Sequence, residues 1–264
     1  MTTVDISQQS LDMMLRALKL PSFHSCHEEV AIQSERQGWS FGQYLHQLCE
    51  LELSERERRR IERFSKASHL PFDKTLERFQ MDKVPVKVKR QVPTLCEGGF
   101  VERAENVLAF GLPGRGKTHL LCAIGHELIH RGYRVLFVPT YQLVQKLLVA
   151  KKELCLEQAL KRLDRFDVVL LDDIGYVQQN RDEMEVLFTF LGERYERRSV
   201  MISSNLVFSQ WDKIFKDTMT TAAAIDRVVH HSTILEMTGK SFRNEEAQSQ
   251  NSNLKSKSET KKEE

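Results

Sequence analysis

The feature that most constrains this chain is an eight-residue run, Gly111-Leu112-Pro113-Gly114-Arg115-Gly116-Lys117-Thr118. It fits the pattern G-x-x-x-x-G-K-[ST]. The apolar segment before it, Asn106–Phe110, reads as a strand, and the segment from Lys117 onward reads as a helix. That context is what the pattern needs. Glycines let the backbone wrap close to phosphates with its N–H groups turned inward, and the helix N-terminus adds partial positive charge. Lys117 is expected to reach the β- and γ-phosphates, and Thr118 to ligate Mg²⁺ through its hydroxyl. The candidate nucleotide contacts are therefore Gly111, Leu112, Pro113, Gly114, Arg115, Gly116, Lys117, Thr118 and His119. An ordinary glycine turn is the alternative, and the strand-before, helix-after placement tells against it.

From about residue 98 to 243 the chain alternates strand and helix. Short, apolar, β-branched runs fall at Asn106–Phe110, Arg134–Val138, Asp167–Leu171, Ser199–Ser203 and Ser232–Met237. Amphipathic segments separate them. This order predicts an α/β fold with a parallel five-stranded sheet covered by helices on both faces. The third run, Val168-Val169-Leu170-Leu171, is continuously apolar, as a doubly buried parallel strand should be, and ends in Asp172-Asp173. Carboxylates at the C-terminal end of such a strand are how these folds build sites. Asp172 is the candidate to hold Mg²⁺ and Asp173 the candidate to orient and polarise an attacking water, although Asp-Asp-Ile-Gly also reads as a simple turn. Asn205 closes the fourth run, where an amide can bind the γ-phosphate or the water; Ser and Asn are also ordinary turn formers. Arg227 lies in a helical stretch. It reads either as a solvated surface charge or as a cation reaching a neighbouring subunit's nucleotide.

Residues 1–97 read as helical, with Leu11, Met14, Leu15 and Leu18 at helical spacing, Pro21 ending that run, and Phe41, Tyr44, Leu45, Leu48 and Leu51 forming a second apolar face. Pro71, Pro85 and Pro93 then punctuate a connector rich in Lys and Val. Residues 56–90 hold 12 Lys+Arg against 5 Asp+Glu. Arg56, Arg59, Arg60 and Arg63 fall along one side of a helix. They are candidates for contact with DNA phosphates, and a solvated face laced with Glu/Arg pairs one turn apart is the competing reading. Phe64, Phe72 and Phe79 among these charges read as core residues.

The rest of the sequence narrows the setting. No apolar run approaches the roughly 20 residues a membrane span needs, and the first residues lack the pattern of a signal peptide. Cys26, Cys49, Cys96, Cys122 and Cys155 are scattered and odd in number, as in a reducing compartment, so a cytoplasmic location is expected. His24-Ser25-Cys26-His27 lacks a second ligand pair for zinc, and His230-His231 reads as a helix C-terminal pair. Residues 244–264 are too poor in apolar side chains to fold and are expected to be disordered.

Taken in order, GLPGRGKTHL, VVLLDDIGYV, ERYERRSVMISSNLVFSQW and AAAIDRVVHH resemble the IstB family of the AAA+ ATPases, relatives of the DnaC helicase loader. The N-terminal stretches LKLPSFHSCHEEVAIQSERQGWSFGQYLHQLCELEL and ERERRRIERFSKASHLPFDKTLERFQ match as well, so the resemblance runs from about residue 11 to 243. It implies a helical N-terminal DNA- or partner-binding region (1–97), an AAA+ ATPase domain (98–243) and a tail (244–264). It further implies ATP and Mg²⁺ as cofactors, ATP-dependent homo-oligomers on double-stranded DNA, and a cognate transposase as partner. Hydrolysis to ADP and phosphate would dissolve the assembly. Lys117, Thr118, Asp172 and Asp173 fall on the family's nucleotide motifs, Asn205 on its sensor position and Arg227 on its arginine-finger position. Two departures stand out. Asp173 occupies a position where many AAA+ proteins carry Glu, which implies slow turnover, and no C-terminal sensor arginine with its own helical lid matches, Arg243 being a candidate substitute. A DnaC-like helicase loader, a small-molecule P-loop kinase and a DNA-binding module without hydrolysis are the alternatives.

Overall fold

A computed structural model of the chain describes residues 3–176, 181–206, 210–211 and 218–238. Arg243 and the tail 244–264 lie outside them. The chain divides into two compact units, Met1–Arg63 and Phe64–Glu264.

The first unit is helical: α1 (Thr3–Ala17), α2 (Pro21–Gln37) and most of α3 (Phe41–Ser68). Pro21 does end the first run, and it also opens α2 at a position where its missing N–H costs nothing. Gly38, at φ 66°, closes α2 in the left-handed conformation that glycine adopts without strain. Ser40 and Gln43 then cap α3 reciprocally, the Ser40 N–H donating to Gln43 Oε1 at 2.8 Å and the Gln43 N–H to Ser40 Oγ at 3.3 Å. Leu15, Val30 and Leu48 are buried, and buried Glu52 accepts from the Ser22 N–H at 2.8 Å and from Arg56 Nε at 2.7 Å.

The second unit is built on five parallel strands: β1 (Asn106–Phe110), β2 (Val135–Pro139), β3 (Val168–Asp172), β4 (Ser199–Ser204) and β5 (Ser232–Glu236). Each lies within a residue of where the apolar runs predict it. Their order across the sheet is β2-β3-β4-β1-β5. The three central strands are buried almost throughout, and the edge strands β2 and β5 only in part. The order matters for function because β4 lies between β1 and β3. The loop after β1, the carboxylates ending β3 and the residues following β4 therefore meet at the carboxyl end of the sheet.

Helices α4 (Val86–Glu97), α5 (Gly99–Glu102), α6 (Lys117–His130), α7 (Thr140–Lys152), α8 (Leu156–Leu163), α9 (Arg181–Arg194) and α10 (Thr218–Val229) complete the unit. The stretch expected as a proline-punctuated connector is largely α4, with Pro85 as its N-cap and Pro93 inside it. Val88, Val92 and Leu95 recur on one face and are buried, and α4 packs on α6. That burial, at about 25 cal/mol per Å², offsets the hydrogen bond Pro93 cannot donate.

At the amino ends of β3 and β4, Arg194 is 1 % exposed. Its guanidinium donates to the carbonyls of Leu163 (3.2 Å), Phe166 (3.1 Å), Asp167 (3.1 Å) and Ser199 (2.9 Å). Burial pushes it down to about 10, so it remains charged at neutral pH.

Candidate nucleotide site

The loop between β1 and α6 curls back over the strand that precedes it. At Gly111, φ is 153°, and an added Cβ would stand 2.3 Å from the Met237 carbonyl oxygen, so only glycine fits. Gly116, at φ 78°, turns the chain into α6. Lys117 is buried and folds its ammonium group back onto the loop. Its Nζ donates to the Gly111 carbonyl at 2.7 Å, the Leu112 carbonyl at 3.1 Å and Asn205 Oδ1 at 2.7 Å.

The hydroxyl of Thr118, the second residue of α6, donates to Asp172 Oδ1 at 2.6 Å. Ser203 Oγ donates to the same oxygen at 2.7 Å and accepts the Asp173 N–H at 2.8 Å. A hydroxyl and a carboxylate so close make an all-oxygen donor set, which suits a small hard cation such as Mg²⁺. Asp173 sits at φ 55°, a left-handed value uncommon for a non-glycine residue. Its Oδ2 accepts from Asn205 Nδ2 at 2.8 Å, and its Oδ1 is buried. Burial, with the neighbouring Asp172 charge, raises its pKa above the ordinary carboxylate value. Asn205 thus bridges Lys117 and Asp173 through the two ends of one amide.

These groups open onto a cleft of about 510 Å³ lined by Pro113 to His119, Asp173, Ser203 and Asn205. Its other wall comes from a segment the motifs do not mark: Asp73, Lys74, Arg78, Phe79 and Gln80. His119 holds that segment, its Nε2 lying 3.1 Å from the Thr75 carbonyl and its ring 5.1 Å from that of Phe79, edge-on. Phe79 is buried, as expected, whereas Phe72 is 85 % exposed.

The family model for the IstB-like ATP binding protein matches residues 13–250. The chain belongs to this family. An insertion-sequence ATP-binding protein of Sinorhizobium fredii is 46 % identical over 92 % of this chain and 82 % of its own. The ATP-binding protein of insertion sequence IS21 from Pseudomonas aeruginosa is 37 % identical over 88 % of each. The fold is that of the AAA+ P-loop proteins. A crystal structure of the DnaC helicase loader aligns over 63 % of this IstB-like chain and 98 % of its own, with a TM-score of 0.54 at 17 % identity.

Arg227, on α10, places its guanidinium carbon 4.4 Å from the Phe188 ring centroid and does not line the pocket of its own chain. On α3, Arg56 bonds Glu52, Arg59 bonds Glu55 at 2.6 Å and Arg60 bonds Glu57 at 3.2 Å, all within one helical turn; Arg63 follows on the same helix. Arg58 bridges Glu55 and Glu62. Among the described residues, no helix is long and apolar enough to cross a membrane.

Proposed function

We propose that this chain is an ATP-hydrolysing helper of insertion-sequence transposition, one that oligomerises on double-stranded target DNA and engages the transposase. The observation that carries this reading is the bonded set Lys117–Asn205–Asp173 beside Thr118–Asp172. It joins a buried lysine, a hydroxyl–carboxylate pair and a second carboxylate at the carboxyl end of the sheet. The names of the insertion-sequence relatives favour transposition over helicase loading as the setting.

In this reading Lys117 exchanges its loop carbonyls for the β- and γ-phosphates of ATP. Thr118 and Asp172 would hold Mg²⁺, which when bound neutralises charge on the phosphates. The Asp173 carboxylate receives a proton from the attacking water, while Asn205 holds its Oδ2. The raised pKa brings Asp173 closer to the working pH, where a general base is most effective. A shorter side chain than Glu makes turnover slow, as suits a timed release from DNA. Arg227 does not line its own chain's cleft and serves a neighbouring protomer, a role worth about 10³–10⁵ in rate. The helical region and its arginine row take the DNA backbone or the transposase.

Lys117→Ala is expected to abolish ATP-dependent assembly on double-stranded DNA, read by sedimentation and electron microscopy. Assembly equal to wild type overturns the proposal. A preference for single-stranded DNA and a replicative helicase supports the loader reading in its place.

A further inference from the structure

We propose that Glu196, His230 and His231 form a binding site for a divalent transition metal of the zinc class, separate from the nucleotide cleft. One potential ligand atom from each lies within 4.8 Å of the other two, and among the described residues this is the group of His, Cys, Asp and Glu side chains that meets so closely. All three are exposed, so a hydrated ion has access. Two imidazoles and one carboxylate are the donors that Zn²⁺, Ni²⁺ and Cu²⁺ accept, whereas Mg²⁺ prefers oxygen alone.

The backbone carrying these ligands is firmly held. Glu196 lies on the turn between α9 and β4. Arg194 anchors that turn through four carbonyls, Arg197 through Asp164 at 2.9 Å and Arg198 through Asp167 at 2.6 Å. On the other side, the His231 carbonyl accepts the Asn106 N–H at 2.7 Å, and the Asn106 amide donates to the Val228 carbonyl at 3.0 Å. Only exposed side chains must rotate to bring three donors to about 2.0–2.2 Å from an ion, leaving a fourth position for water.

His230 carries a further mark of a ligand. Its Nδ1 lies 3.0 Å from Tyr195 Oη. In the tautomer whose Nδ1–H donates to the phenol oxygen, Nε2 keeps its lone pair for a metal, and an outer hydrogen bond of this kind orients the ring. The His231 ring packs beside it, with centroids 4.1 Å apart. An ion here cross-links the C-terminal ends of α9 and α10, and α10 carries Arg227.

The test uses the full chain, stripped with a chelator and titrated with Co²⁺ in excess Mg²⁺, with visible absorption as the readout and Zn²⁺ as competitor. The expected result is one Co²⁺ per chain, displaced by Zn²⁺ and accompanied by a higher Tm. Glu196→Gln and His231→Gln should each weaken binding tenfold or more, and Tyr195→Phe severalfold, with unchanged far-UV circular dichroism. The double variant Cys26→Ser/His27→Gln should bind as wild type does. No Co²⁺ bands, equal affinity in Glu196→Gln and His231→Gln, or loss confined to the Cys26/His27 variant overturns the proposal.

Discussion

At the carboxyl end of the sheet Lys117 is buried against two loop carbonyls and an asparagine side chain. At the amino end Arg194 is buried against four carbonyls, one at the end of α8 and three at the entries to β3 and β4. Both cations are desolvated, yet their partners differ in kind. The acceptors of Arg194 are fixed backbone with nothing to exchange them for. Those of Lys117 border an open cleft, and phosphate oxygens can replace them. A buried charge whose acceptors are all scaffold serves stability, whereas one whose acceptors face a cleft is poised for a ligand.

The strongest way to break this comparison is to remove each cation. Arg194→Met leaves four carbonyls short of a donor and should lower unfolding stability by about 3 kcal/mol in urea, with ATP affinity of the folded protein unchanged. Lys117→Met should do the reverse, abolishing ATP binding while shifting stability by less than about 1 kcal/mol. Similar stability losses in both variants would erase the distinction.

A second, smaller effect concerns Asp173. Its folded pKa is raised above the unfolded value of about 3.9. The native state therefore binds its proton more tightly, and the stability it contributes at low pH is lost as pH rises through the folded pKa. Asp173→Asn removes that loss. The variant should gain stability over wild type as pH rises above about 4 in urea titrations, converge with it in acid, and hydrolyse ATP at least 10²-fold more slowly. Parallel pH profiles for the two proteins would contradict the buried, charge-opposed environment of this carboxylate.

The smallest effect lies on the exposed arginine row. Arg59→Ala breaks one surface pair with Glu55 and should leave stability unchanged. If that face meets DNA, the slope of log affinity against log salt should become shallower by about 1. An unchanged slope removes Arg59 from the DNA contacts.

The phosphate loop and acidic strand were legible because their signals are local. Glycine spacing, a four-residue apolar run and the acids that follow it depend on neighbours in sequence. The sheet order was not local, yet the strands were found because each is apolar along its length. The far wall of the cleft is not legible in the sequence, for the opposite reason. Asp73, Lys74 and Arg78 carry no motif, and they reach the site only because His119 grips Thr75 and Phe79 from more than 35 residues away. Pro93 misled for a related reason: its local meaning is a break, and the buried face of Val88, Val92 and Leu95 overrides it. In the arginine row the sequence offered two readings, and the Glu partners one turn away supply the geometry of the quieter one.

The contact behind Gly111 has a mechanical consequence. The Met237 carbonyl stands where a side chain at 111 would go, and the Met237 N–H donates to the Phe110 carbonyl at 2.7 Å. The backbone just after β5 is thus a backstop for the loop. Any give on accommodating a triphosphate must come from the mouth inward, and a bulkier residue at position 111 would jam the backstop before it touched a ligand.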